Sequence, residues 1–355
     1  MIRSYGWSDA LQIEFAPFAA RGLAPGRIVV QQRGLYGLVT EAGELAAQIS
    51  GRLAHEAQSG GYPAVGDWVA SAARPDEGAA TIHAVLPRRT AFVRKAADSV
   101  ATEQVVAANV DVALLVASMN ADLNQRRLER YLATAWQSGA TPVVVLTKAD
   151  LAEDPEGEIA SAESVAFGAP VLAVSAVTGE GLDALAALLK PGETAVLVGS
   201  SGVGKSSLVN ALAGETLMAT AAIREDDARG RHTTTHRELI RLPSGALILD
   251  TPGMRELGLL DAGDGLSTTF EDIEALAADC RFADCGHGNE PGCAVREALE
   301  KGALDPGRWR SFVKLQRELA HQERKEDRVA REAYRRRWAT VARSNRARMK
   351  ERGKW

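Results

Sequence analysis

Through the first ninety-five residues the apolar positions fall in short runs broken by glycine, with little helical periodicity. Five runs read as strands, Arg27–Gln32, Tyr36–Thr40, Ala46–Leu53, Asp67–Ala72 and Ala80–Val85. Turn signals separate them at Arg33-Gly34, Ala42-Gly43, Ser59-Gly60-Gly61 and Asp76-Glu77-Gly78. Five short strands in such a length predict a small barrel. The five-stranded barrel used on nucleic acids is the OB-fold, so RNA binding enters here by fold-level analogy, beside the alternative of a barrel that serves only as a packing module. Pro87-Arg88-Arg89 and Arg94-Lys95 follow as a basic connector.

From about residue 100 the texture changes to alternating strands and helices. Val112–Ala117 is a continuous apolar strand, and Asp122–Gln137 is helical, with Leu123, Leu128, Leu132 and Trp136 on one side. Strands follow at Val143–Leu146, Val171–Val174, Ala195–Val198 and Ala246–Leu249, with a helix at Leu182–Leu189. This alternation predicts a mostly parallel sheet with helices on both faces.

Gly199-Ser200-Ser201-Gly202-Val203-Gly204-Lys205-Ser206 lies between the Ala195 strand and an apolar helix pattern at Leu208, Val209, Ala211 and Leu212. It fits the phosphate-loop pattern in the context that pattern requires. Glycines let successive backbone N–H groups turn toward phosphate oxygens, and the helix start adds partial positive charge. Lys205 is placed to reach the β- and γ-phosphates, and the Ser206 hydroxyl, followed by Ser207, to ligate Mg²⁺.

Other signals sit at strand ends. Thr147-Lys148-Ala149-Asp150 offers a carboxylate that accepts from guanine N1–H and the exocyclic amine, while the lysine stem covers the base. Adenine would leave that carboxylate unpaired. The alternative is that Asp150 is the N-cap of the next helix. Ser175-Ala176-Val177-Thr178-Gly179 offers N–H groups to guanine O6. Asp250-Thr251-Pro252-Gly253 supplies Asp250 for water-mediated Mg²⁺ contact and the Gly253 N–H for the γ-phosphate. Gly230-Arg231-His232-Thr233-Thr234-Thr235-His236 is the interval for a switch threonine on Mg²⁺; it offers Thr233, Thr234 and Thr235, and Thr235 is the one carried forward. The guanine motifs precede the phosphate loop, the reverse of the familiar GTPase order. That is the order of a circularly permuted GTPase, and it joins the segment after Asp250 directly to the C-terminal region.

Composition adds a metal and a charge asymmetry. The three cysteines of the 355-residue chain, Cys280, Cys285 and Cys293, lie within fourteen residues and enclose His287. An odd, clustered set argues against a disulfide framework, and three thiolates with one imidazole fill a closed structural zinc site. Residues 308–355 hold 17 Lys/Arg and 6 Asp/Glu, so the formal net charge of −4 conceals a basic tail of +11 on an acidic body of −15. The tail reads as a phosphate-backbone contact, with Tyr334, Trp338 and Trp355 available for stacking, or as a solvated helix end. Hydrophobic content is 46%, no apolar run approaches a membrane span, and the N-terminus has no apolar secretory core, so a cytoplasmic protein with no membrane partner is expected.

With these motifs the chain resembles the ribosome small subunit-dependent GTPase A family (RsgA/YjeQ/EngC). The resemblance rests on Thr147–Asp150, Gly199–Ser207, Gly230–His236, Asp250–Gly253 and Cys280/Cys285/His287/Cys293. It implies a multidomain chain: an OB-fold at 1–95, a circularly permuted α/β GTPase domain at 96–262, and a mainly helical zinc-binding domain with a basic tail at 263–355. It implies GTP/GDP, Mg²⁺ and one structural zinc per chain. It further implies a monomer acting on the small ribosomal subunit and its rRNA late in maturation, releasing an assembly factor, with turnover stimulated by the subunit. The guanine motif commonly begins with Asn, which ties neighbouring loops together; here Thr147 stands in that place. The glutamine that usually orients the attacking water is replaced by Met254, so catalysis rests on Lys205, Mg²⁺ and the backbone cradle, with His232 and His236 as candidates to position water or, equally, as surface histidines or RNA contacts. Two other readings are a nucleotide-gated RNA-binding module whose hydrolysis is incidental, and a phosphate-loop ATPase or small-molecule kinase.

Overall fold

The computed structural model describes residues 1–32, 34–57, 61–95, 103–120, 123–218, 237–250, 263–321 and 324. Five strands, β1 (Ala24–Gln32), β2 (Leu35–Thr40), β3 (Gly43–Ile49), β4 (Trp68–Arg74) and β5 (Ala79–Val85), pair in the order β1-β2-β3-β5-β4, and β4 returns to β1. The β3–β5 pair is parallel and its neighbours are antiparallel, so the expected five-stranded barrel closes with OB-fold connectivity. Ile28, Leu38, Val39, Trp68, Val69 and Ile82 belong to the core that covers both faces of its wall, all essentially without solvent contact.

Two helices in this region differ from the sequence expectation. Helix α1 (Asp9–Ala19) is capped by Ser8, whose Oγ accepts from the Leu11 N–H at 3.3 Å. It buries Leu11 and Phe15, but it contains Pro17 and leaves Ile13 exposed, which blurs its apolar stripe. The strand expected over 46–53 ends at Ile49. Ser50 then caps helix α2 (Gly51–Glu56), its Oγ accepting from the Leu53 N–H at 3.2 Å. Leu53 is buried as expected, but from a helix, because a serine cap offers the backbone a local alternative to the ladder.

Beyond a hairpin of β6 (Ala91–Lys95) and β7 (Glu103–Ala108) lies the α/β part. Its elements are β8 (Val112–Ser118), α3 (Gln125–Ser138), β9 (Thr141–Thr147), α4 (Pro155–Glu163), β10 (Val171–Val174), α5 (Leu182–Leu188), β11 (Thr194–Val198), α6 (Lys205–Ala213), β12 (Arg237–Arg241) and β13 (Leu247–Asp250). Strands β10-β9-β8-β11-β13 are parallel, as the apolar runs predict. Strand β12 was not foreseen. It is antiparallel to β13 on one side and to β1 on the other, so barrel and α/β part share one eleven-stranded sheet. At this junction Arg27 is fully buried and donates to the Tyr5 carbonyl, to the Asn109 carbonyl at 3.3 Å and to Thr194 Oγ1 at 2.7 Å. Its guanidinium lies 5.2 Å from the Trp68 ring centroid. Burial lowers its pKa to about 10, with Asp111 opposing, so it remains charged at neutral pH.

The C-terminal described part is helical, as expected: α7 (Gly263–Thr269), α8 (Glu271–Ala278), α9 (Ala294–Glu300) and α10 (306–321). Leu266, Phe270, Ile273, Val295, Phe312 and Leu315 form its core together with Ala133 of α3. Helix α7 crosses α3 so closely that a Cβ on Gly265 would stand 2.1 Å from the Ala133 carbonyl oxygen. Beside this crossing Glu129 of α3, wholly buried, accepts from Arg126 at 2.7 Å and Arg308 at 3.1 Å. Arg308 also grips Asp272 through two nitrogens, at 2.8 and 2.6 Å. Desolvation raises the Glu129 pKa and the two guanidinium groups oppose it. Among the described residues no helix is long and apolar enough to cross a membrane.

The Gly265 contact generates a prediction. Gly265→Ala is expected to lower unfolding stability by about 1–3 kcal/mol, because backbone rather than a movable side chain opposes the new methyl. Urea denaturation followed by tryptophan fluorescence checks it.

Candidate nucleotide site and metal centre

Parallel strands deliver their carboxyl ends to one edge of the sheet, and the loops expected to carry chemistry leave from that edge. Strand β11, held between β8 and β13, ends at Val198, and α6 begins at Lys205. The intervening turn requires its glycines. Gly202 and Gly204 have φ of +80° and +93°, and a Cβ on Gly199 would lie 2.3 Å from the Val116 carbonyl oxygen of β8. Ser200 and Ser201 form the outer turn, while Val203 is buried. Lys205 folds back over the loop, its Nζ donating to the Gly199 carbonyl at 2.8 Å and to the Ser200 carbonyl. Ser206 and Ser207 follow in the first turn of α6.

The loop after β9 is tied to this turn by one hydroxyl. Thr147, buried at the strand end, places Oγ1 3.1 Å from the Ala117 carbonyl and 2.5 Å from the Val203 carbonyl. The loop-tying role expected of the usual asparagine therefore falls to Thr147 itself. The chain then leaves the strand through Lys148 in the left-handed region, at φ +61°, and Lys148 Nζ donates to Asn120 Oδ1 at 3.4 Å. Asn120 was missed by sequence reasoning; its only signal is its place just past the end of β8. Ala149 and Asp150 enter a single 3₁₀ turn, and α4 starts later, capped by Asp154, which accepts from the Gly157 N–H at 3.0 Å. Asp150 is thus not a helix cap. It is exposed, and its Oδ1 accepts from Ser175 Oγ at 2.5 Å.

Ser175 is buried and also accepts from the Val177 and Thr178 N–H groups, at 3.2 and 3.1 Å, which curls Ala176 and its neighbours over the end of β10. One side chain therefore joins both expected guanine motifs. Asp250 ends β13, and the pairing Val196↔Leu249 sets it beside the last residues of β11. Thr147–Asp150, Ser175–Ala176, Gly199–Ser207 and Asp250 thus come to one sheet edge. His232, Thr235, His236, Gly253, Met254 and the basic tail beyond residue 321, apart from Arg324, lie outside the described residues.

In the helical part the ligand atoms of Cys280, Cys285, His287 and Cys293 lie within 4.8 Å of one another. Cys280 and Cys293 Sγ are each 3.6 Å from His287 Nδ1 and 3.9 Å from each other. Four ligands on a tetrahedral zinc, at about 2.3 Å for sulfur and about 2.0 Å for nitrogen, would be about 3.5–3.8 Å apart. The donor set fits that ion and leaves no open position. The knuckle is shaped locally: His287 has φ +57°, and Glu290 accepts from the Gly286 and Gly288 N–H groups at 3.2 and 2.7 Å. Cys293 Sγ caps α9, accepting from the Arg296 N–H at 3.4 Å, and Trp309 of α10 meets the His287 ring edge-on.

A phosphate-loop turn bonded to loops that precede it in the chain, on a sheet shared with a five-stranded barrel, defines the class of circularly permuted GTPases. The family model described as RsgA GTPase matches residues 85–260. The chain is 47% identical to the Small ribosomal subunit biogenesis GTPase RsgA of Opitutus terrae, covering 100% of this chain and 99% of that protein. It is 49% identical to the protein so named in Streptomyces coelicolor, over 89% of this chain and 86% of the other. Among solved structures, YjeQ from Thermotoga maritima matches with a TM-score of 0.64 and 28% identity, over 84% of this chain and 99% of that one. YloQ, described as a circularly permuted GTPase, matches at 0.60 and 26%, over 84% and 96%. The chain belongs to the RsgA GTPase family.

The Thr147 tie generates a prediction. Thr147→Val keeps the side-chain volume but removes the hydroxyl shared by the two loops. Amide protons of residues 201–204 are expected to exchange about five- to tenfold faster, the equivalent of one hydrogen bond. Hydrogen-exchange mass spectrometry checks it.

Proposed function

We propose that this protein is a GTP-hydrolysing factor in late maturation of the small ribosomal subunit, that its turnover is stimulated by the subunit, and that it promotes release of an assembly factor. One observation carries the reading: the Ser175–Asp150 and Thr147–Val203 contacts gather the guanine motifs and the phosphate loop at one sheet edge, in a chain whose relatives bear the name of small-subunit biogenesis GTPases. Asp150 and the backbone around Ala176 read guanine, with Lys148 covering the base. The Gly199–Gly204 turn cradles the phosphates, together with the Gly253 N–H. Lys205 exchanges its two loop carbonyls for β- and γ-phosphate oxygens and so offsets the charge that develops in the transition state. Ser206, Thr235 and Asp250 would hold Mg²⁺, which neutralises phosphate charge. His232 and His236 serve as candidates to orient water where Met254 cannot.

In this reading residues 1–95, 96–262 and 263–355 act as RNA-binding, GTPase and zinc-binding units of a cytoplasmic monomer. Barrel and basic tail bind rRNA. The zinc, held by Cys280, Cys285, His287 and Cys293, is structural and stabilises the knuckle against which α10 packs.

Purified small subunits are expected to raise GTP turnover and large subunits to leave it unchanged. Lys205→Ala should lower stimulated turnover about 100-fold. A steady-state phosphate-release assay checks both; unaltered turnover in Lys205→Ala would remove the site assignment. Equal turnover with and without small subunits would favour a nucleotide-gated binding module.

Metal analysis of protein purified without chelator should find one zinc per chain. Chelation should unfold mainly residues 265–300, seen as local loss of exchange protection with the barrel unaffected.

A further inference from the structure

The seam between barrel and α/β part joins two places with different chemistry. On one side it carries β12, whose first residue, Arg237, directly follows His236 and the first-switch interval. On the other side it carries β1, which runs one residue beyond its last partner on β12 into the β1–β2 turn closed by the Gln32↔Leu35 pair. The loop between the first and second strands is one of the two that OB-folds present to nucleic acid.

The pairing is short but specified. Val30 faces Glu238 and Gln31 faces Arg237. The same row continues on both sides, since Glu238 faces Asp250 of β13 and Val30 faces Gly37 of β2. The start of the second switch, the end of the first and the barrel therefore lie on one line of register-paired residues across the sheet. A side-chain lock reinforces the line. Arg237 is buried and donates from Nη1 to Gln31 Oε1 at 3.3 Å, while Gln31 Nε2 donates to the Pro63 carbonyl at 3.2 Å. Burial, and Arg94 nearby, lower the Arg237 pKa, so its charge is held at a cost and its acceptor matters.

A one-residue slip at this seam would turn every side chain of β12 to the other face, so β12 and β1 move together or part. We infer that β1 couples an RNA-contacting barrel turn to the end of the first switch, with Gln31 and Arg237 as the positioning residues that lock the two strands. RNA seated on the β1–β2 turn orients β1, β1 orients Arg237, and the chain leaving Arg237 toward His236 starts from a set position. Linkage makes the effect reciprocal, so nucleotide state alters the barrel turn equally. The inference rests on the proposed reading that hydrolysis responds to the small subunit, and it names the route by which the response travels.

Two measurements on the full-length protein test it. Hydrogen exchange of residues 28–32 is compared between GDP and a non-hydrolysable GTP analogue. Wild-type exchange should differ about fivefold between the two states, the equivalent of one hydrogen bond, and the difference should vanish in Arg237→Met. Equal exchange in the two states of the wild type would overturn the coupling, whatever subunits do to turnover. In the second measurement Gln31→Ala and Arg237→Met should each lose about tenfold of the stimulation by small subunits, with unstimulated turnover and GDP affinity within about twofold of wild type. Gln31→Glu should retain most of the stimulation, because its carboxylate accepts from the guanidinium more strongly than the amide and so offsets the lost donation to the Pro63 carbonyl. Full stimulation in Gln31→Ala and Arg237→Met would overturn the lock. A wild type that small subunits do not stimulate would overturn the proposed function, and the exchange comparison would still decide the coupling by itself.

Discussion

The structure depends on a seam where two differently built halves share one sheet. A barrel strand and a strand of the α/β part meet through β1 and β12, and the charge of Arg27 is sealed beneath the contact. A buried guanidinium is costly unless its donors are used. Here Nη1 and Nη2 reach an N-terminal carbonyl, the carbonyl of Asn109 and the hydroxyl of Thr194, the cation sits over Trp68, and only Nε of its nitrogens has no hydrogen-bond partner among the described residues. These partners come from the N-terminus, the barrel, the turn between β7 and β8 and the first residue of the strand that leads to the phosphate loop. Barrel and phosphate-loop strand are consequently one body at this point, not two modules on a flexible link.

The nucleotide site follows the same economy of ties. Its loops come from strand ends far apart in sequence, and single side chains hold them together. Thr147 bridges the end of β8 and the phosphate loop, and Ser175 holds the carboxylate of Asp150. Both side chains are buried; the hydrogen bonds of Thr147 meet buried carbonyls and are expensive to leave unmade, while Ser175 reaches a carboxylate that is itself exposed. Preorganisation of this kind suits a site whose chemistry is positioning and charge stabilisation rather than covalent catalysis.

The helical part is attached by a different device. Helix α7 lies against α3 at backbone contact, and Glu129, Arg308 and Asp272 form a charged cluster beside the crossing. Removing one member of such a cluster strands a charge in the interior, so the docking geometry is specified more sharply than apolar packing alone would achieve. Cys293 belongs to the same core as Phe270 and Phe312, which links the metal knuckle to the docked surface.

Local pattern sufficed wherever local pattern is what builds the element. The runs Val112–Ala117, Val143–Leu146 and Ala195–Val198 are buried on both faces and read as parallel strands without ambiguity. The Gly199–Ser206 turn and the Cys280–Cys293 spacing carry their chemistry in residue type and interval, so both were legible before any fold was known. Helix α1 was not, because its stripe is broken by Pro17 and Ile13, and α2 was not, because Ser50 diverts an apolar run that would equally make a strand. The rest is a matter of long-range contact. The seam between β1 and β12 joins residues some two hundred apart, the Ser175–Asp150 bond joins two loops, and Asn120 has meaning only beside Lys148. Sequence determined which residues could do the chemistry. Tertiary structure alone decided which hydroxyl holds which loop and which barrel strand pairs with β12, because those choices depend on the order in which strands pair across the sheet, and no local periodicity records that order.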